Sequence, residues 1–132
     1  RYKGAIFSHE TALYLLELTD RTPLFYSLTV PAVYNATPLK ASGAKVYFVN
    51  RNLFLIGVIT LKSSHGNDIK TFNLERTICD VLRNRNQVDV QLVNEALKKY
   101  VIHKDRNIDQ LYNFAKQFRI QKIVREYIEV LL

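Results

Sequence analysis

The chain has 132 residues, of which 48% are hydrophobic, and carries 19 Lys and Arg against 12 Asp and Glu for a formal charge of +7. That size suits one domain burying about two-thirds of its unfolded surface, and the apolar content excludes a disordered tail. No apolar run approaches the roughly 20 residues of a membrane span, and a single cysteine, Cys79, excludes an internal disulfide framework, which makes a reducing cytoplasm the default setting.

The opening stretch, residues 1–7, is too short for a signal peptide. The chain contains no methionine, as expected of an internal or C-terminal piece of a longer protein. Ser8 stands where it can cap a helix of about Glu10–Leu18, with Glu10 in the first turn. The apolar residues of that helix point in most directions, which predicts burial almost all round. Thr19–Pro23 breaks it. Phe25–Val30 alternates, with Phe25, Ser27 and Thr29 on one side and Tyr26, Leu28 and Val30 on the other, and Pro31 closes this strand. Tyr34–Gly43 reads as a loop or a short turn of helix, and Lys45–Val49 as a second strand. Asn50–Ile56 fits either a helical turn or a bend. Gly57–Lys62 and Asp68–Phe72 read as two strands of a hairpin joined by the turn-rich Ser63–Asn67.

The rest of the chain is organised around Thr71–Arg85. Asn73 is the predicted N-cap and Glu75 lies where the helix dipole favours negative charge. Leu74, Ile78, Val81 and Leu82 form a core stripe. Arg76, Asp80 and Arg83, at i, i+4 and i+7, are expected to present paired charge on the far face. Cys79 lies near the edge of the packed side as an inert small hydrophobe. From Asp89 the apolar period is helical throughout. The first stripe is Leu92, Val93, Ala96, Leu97, Tyr100 and Val101. The second is Ile108, Leu111, Tyr112, Ala115 and Phe118, capped by Asn107, and the third is Ile120, Ile123, Val124, Tyr127, Ile128 and Leu131. The whole reads as one α+β domain over residues 1–132. It is expected to have a small, mostly antiparallel sheet with helices on one face and a three-helix C-terminal region.

The charge points to an acidic partner. Between Lys98 and Arg125 stand Lys98, Lys99, Lys104, Arg106, Lys116, Arg119, Lys122 and Arg125, against only Asp105 and Asp109. Most lie off the apolar stripes, so they form either a plain solvated helix exterior or a working face that holds phosphates without reading sequence. No motif implies a metal or cofactor. His9, His65 and His103 lack zinc-site spacing, and the four glycines are scattered singly. Glu75 and Asp80 point about 140° apart on a helix, too far to share one ion unaided. The aromatic residues fit core positions better than base stacking.

Two stretches carry a family likeness. Ile6–Pro23 and Phe72–Arg83, with Lys45–Asn50 between them and the closing helices after, resemble the C-terminal domain of AbiEi-type antitoxins. These belong to abortive-infection, type IV toxin–antitoxin systems that defend bacteria against phage. The resemblance implies an upstream winged helix-turn-helix that binds operator DNA and represses the toxin–antitoxin operon. It also implies that this domain counters a nucleotidyltransferase-like toxin without a stable complex and assists autorepression, with no catalysis of its own. The alternatives are a basic nucleic-acid-binding module without antitoxin activity, or a nuclease-like enzyme using Glu75 or Asp80.

Overall fold

A computed structural model describes residues 4–132; Arg1, Tyr2 and Lys3 of the opening stretch lie outside the described residues. The strands are β1 (Ile6–Phe7), β2 (Ser27–Pro31), β3 (Lys45–Val49), β4 (Val58–Lys62) and β5 (Asp68–Phe72). The helices are α1 (His9–Leu15), α2 (Thr37–Ala41), α3 (Leu74–Arg83), α4 (Val90–Val101), α5 (Ile108–Gln117) and α6 (Gln121–Ile128), with single 3₁₀ turns at Arg51–Leu53 and Arg85–Gln87. No described helix is long and apolar enough to cross a membrane.

The fold is α+β, but its five-stranded sheet, ordered β3-β2-β1-β5-β4, is mixed rather than mostly antiparallel. β1 pairs antiparallel with β2, and β4 with β5, while β1–β5 and β2–β3 are parallel. The physical reason lies in α2. Two parallel neighbours need a crossover of about a dozen residues, and the connection from Pro31 to Lys45, with α2 inside it, supplies one.

The same crossover corrects a second expectation, that helices would cover one face only. Successive strand residues point to opposite faces. On one face of β2, Ser27 Oγ donates to Glu10 Oε1 (2.9 Å) and Thr29 Oγ1 donates to Ser8 Oγ (2.6 Å), both at α1. On the other face, Leu28 and Val30 pack with Leu39 of α2. The alternation in this strand therefore separates two covered faces, and Ser27 through Val30 are all buried.

α1 is shorter than the period suggested. Its backbone turns left-handed at Glu17 (φ 61°), and the bonds Leu18 N–H to Leu13 O and Glu17 N–H to Tyr14 O close the helix there in a Schellman arrangement. Nor is it buried all round, since Tyr14 is 42% exposed.

α3 is the central element. Leu74, Ile78, Val81 and Leu82 join the main core with residues from α1, α4, α5 and α6. Asn73 caps it as expected, accepting from the Arg76 amide at 2.9 Å. Glycine is required where the start of β4 passes the first turn of α3: Gly57 has φ +78°, and a Cβ there would lie 2.7 Å from Arg76 Cβ. The Asn73 amide donates to the carbonyl of that same glycine at 2.7 Å.

Candidate functional site

The chemistry-bearing residues divide into an interior set on α1 and α3 and an exterior cationic set on α4–α6. The interior set overturns one expectation. Arg76 and Asp80 do pair, with Arg76 Nε donating to Asp80 Oδ1 at 3.0 Å. They are not on a solvated face: Arg76 is 0% exposed and Asp80 3%. Every residue from Leu74 to Leu82 is buried; of the three charges placed on the far face, Arg83 alone is exposed. Burying two charges is costly unless hydrogen bonds compensate. Arg76 Nη1 meets part of that need by donating to the carbonyls of Leu53 (3.0 Å), Phe54 (3.2 Å) and Ile56 (2.7 Å), while Arg76 Nη2 and Asp80 Oδ2 are buried with no hydrogen-bond partner among the described residues. Its guanidinium also lies 3.8 Å from the Phe72 ring centroid and 4.7 Å from that of Phe118. The partners of this arginine sit some 20 residues upstream in an irregular segment, which periodicity does not reveal.

Other polar residues of the same helix are likewise spent on internal joints. Glu75 accepts from the Tyr100 hydroxyl and the Asn107 amide, both at 2.8 Å. Thr77 Oγ1 donates to Phe72 O. Cys79 is fully buried; desolvation, with Asp80 nearby, pushes its thiol well above the ordinary range, so it has little thiolate character.

Beyond α3, Asn84 reaches His9. Ser8, expected to cap α1, makes no side-chain cap bond. Its hydroxyl instead lies 2.7 Å from His9 Nδ1, while His9 Nε2 lies 2.8 Å from Asn84 Oδ1. One proton arrangement fits: Thr29 donates to Ser8, Ser8 to Nδ1, and Nε2–H to Asn84, around a neutral imidazole. The ring stacks on Tyr47 at 3.5 Å between centroids. Ser8, His9 and an Asn thus converge, a constellation that sequence spacing hid, but Ser8 is 0% and His9 1% exposed. Neither reaches a substrate.

Burial lowers the His9 pKa below its ordinary 6.5, against the raising pull of Asp80, Asn84 and Glu10. The sign follows. Above about 6.5 both folded and unfolded chains hold His9 neutral. As pH falls through that value the unfolded chain gains a proton that the folded one resists, so stability is lost toward acid, by up to about 1.4 kcal/mol per pH unit. Urea midpoints at pH 7.5 and 5.0 are expected to show this loss, and His9→Gln to reduce it. A pH-independent midpoint in the parent would contradict it.

Beside this network, a cleft of ≈ 530 Å³ opens between Glu10, Arg21, Phe25, Lys45 and Asp89. Its charges are mutually matched, Lys45 with Glu10 and Arg21 with Asp89, each at 3.1 Å. Among the described residues no group of three or more His, Cys, Asp or Glu could hold a metal ion.

The exterior set is placed as follows. Lys98, Lys104, Arg106, Lys116, Arg119, Lys122 and Arg125 are exposed and Lys99 is half-buried. They do not form a single cluster. Lys98 and Lys99 leave α4 on different sides. Lys98 borders a groove with Glu126 and Tyr127 of α6, whereas Lys99 pairs with Asp20 and Glu95 at 3.4 Å. Arg125 pairs with Glu129 at 3.6 Å and lies 5.3 Å from the Tyr112 ring centroid.

Lys104 and Arg106 stand at the N-terminal end of α5, where Arg106 Nη1 donates to His103 O. Lys116, Arg119 and Lys122 surround its C-terminal end. There the chain ends α5 with Arg119 in the left-handed region (φ 60°), closed by Ile120 N–H to Ala115 O and Arg119 N–H to Lys116 O. Arg83 adjoins this end, its guanidinium 5.6 Å from the Phe118 ring. Lys104, Lys116, Arg119 and Lys122 enter no ion pair within 4.0 Å among the described residues.

These features define an α+β domain with a charged, hydrogen-bonded interior and cations at both ends of an outer helix. No protein-family model matches the chain, and no curated protein matches it.

Proposed function

We propose that this chain is a non-catalytic antitoxin domain of a type IV toxin–antitoxin phage-defence system. In this reading it acts in the cytoplasm, antagonises a nucleotidyltransferase-like toxin and helps an N-terminal winged helix-turn-helix at operator DNA repress its operon. The resemblance of Ile6–Pro23 and Phe72–Arg83 to AbiEi-type antitoxins supplies the role. The observation that carries the non-catalytic, surface-acting part is a division of charge. The Glu75 and Asp80 carboxylates and the His9 imidazole are buried and engaged in structural bonds, while Lys116, Arg119 and Lys122 stay exposed with no ion pair among the described residues. A basic nucleic-acid-binding module without antitoxin activity is the second reading, favoured by the same cations.

Growth rescue separates the two. Residues 1–132 would be co-expressed with a cognate toxin, beside a variant carrying Lys116→Glu, Arg119→Glu and Lys122→Glu whose fold is checked by circular dichroism. Rescue by the parent and failure of the variant is the expected result. Rescue by both would keep the antitoxin role and move it off this surface. Rescue by neither, with both folded, would leave the second reading.

A further inference from the structure

We infer that α5 is the element this domain lays against duplex DNA, its solvent face turned to the major groove and the cations at its two ends on the flanking phosphate strands. The inference deepens the proposed function and rests on its treatment of the α4–α6 cations as a working surface.

Three observations carry it. First, α5 is an outer helix. It buries Leu111, Phe114 and Ala115 inward and leaves Asp109, Asn113, Lys116 and Gln117 exposed on the opposite side. Second, the cations sit at its ends. Ten residues of helix span about 15 Å, with Lys104 and Arg106 before them and Lys116, Arg119, Lys122 and Arg83 at the other end. A B-DNA major groove is about 12 Å wide and admits a helix, so charges spaced this way fall near phosphates on both sides. Third, the middle of the exposed face carries Asn113 and Gln117 at i and i+4, which share one side of a helix. Their amide groups are the side chains that can pair bidentately with adenine. The deep, narrow major groove of A-form RNA excludes a helix, so the geometry favours DNA.

One feature opposes binding. Asp105 and Asp109 are exposed at the N-terminal end of α5, where they repel phosphate. Their position gives the idea a sharp sign: Asp109→Asn is expected to tighten binding.

The test is fluorescence anisotropy of the 132-residue chain on a labelled 20-base-pair DNA duplex and the matching RNA duplex, across a salt series. DNA affinity is expected to fall steeply with salt, and Arg119→Gly to lower the log–log slope by about one. Glycine suits the left-handed backbone at that site, so this variant loses a contact without losing the fold. Gln117→Glu on the exposed face is expected to weaken DNA binding about tenfold, and Gln91→Glu, exposed at the start of α4, to leave it within about twofold. Equal effects of these two changes, equal affinity for RNA, or no DNA binding by the parent would each overturn the inference. Growth rescue reports on the antitoxin role independently. Intact rescue without DNA binding removes only the α5 contact, and DNA binding without rescue removes only the antitoxin role.

Discussion

Arg76→Ala is expected to cost this domain about 3–5 kcal/mol, the range for breaking a buried ion pair by removing one partner. The guanidinium is fully buried and donates to Asp80 and to three carbonyls of the 53–56 segment. Alanine leaves a buried carboxylate and three acceptors without it, and opens a void between the Phe72 and Phe118 rings. Against a total of about 5–15 kcal/mol for a domain, that is a large share of the stability. Urea unfolding followed by circular dichroism gives the number; a loss below about 1 kcal/mol would contradict the buried geometry. A double-mutant cycle built from Arg76→Met and Asp80→Leu separates the ionic part from the rest. Removing both charges with Arg76→Met and Asp80→Leu should recover the ionic part, because apolar replacement of a buried pair is often neutral. It should not recover the part owed to the carbonyls of Phe54 and Ile56, which lose the Arg76 donor; the Leu53 carbonyl still accepts from the Ile56 amide at 3.3 Å.

That arginine also marks where sequence reasoning stops. The i, i+4 spacing of Arg76 and Asp80 foretold their pairing, because helix geometry is local. It could not foretell burial, because the compensating acceptors belong to an irregular segment without periodicity. Caps divide the same way. Asn73 and Asn107 accept from Arg76 and Gln110 amides as the spacing implied, whereas Ser8 turns to His9 and Thr29, partners fixed by tertiary packing. In the sheet, β1 has only two residues, too few for a period, yet it sits at the centre and links both halves. A strand that short leaves no sequence signal for its parallel pairing with β5. For the cations, exposure was legible from their places off the apolar stripes. Their distribution was not: Lys99 is drawn to Asp20 on the α1–β2 connection, while Arg83 joins the α5–α6 end through Phe118.

Glu75→Ala is the second large effect, expected at about 2–4 kcal/mol, because it strips an acceptor from two donors at once. Glu75 is 4% exposed, and its Oε2 accepts from the Tyr100 hydroxyl and the Asn107 amide, each at 2.8 Å. These bonds tie the first turn of α3 to the last turn of α4 and to the cap of α5, on either side of the segment bearing Lys104 and Arg106. Tyr100→Phe removes one donor and leaves Glu75 bound to Asn107, at a cost of about 1 kcal/mol. The two changes should not add. Once the hydroxyl is gone, Glu75→Ala orphans only the Asn107 amide, so it should cost about 1 kcal/mol less in the Tyr100→Phe background. Additivity within about 0.5 kcal/mol would show that the hydroxyl and carboxylate do not interact. The same joint flanks the cationic loop on both sides. Amide hydrogen exchange at Asn107 should accelerate in Glu75→Ala well beyond exchange in β2 and β3, because local opening needs only this bond to break. Uniform acceleration across the domain would mean that Glu75 supports global stability alone and leaves the N-terminal end of α5 no more ordered than the rest.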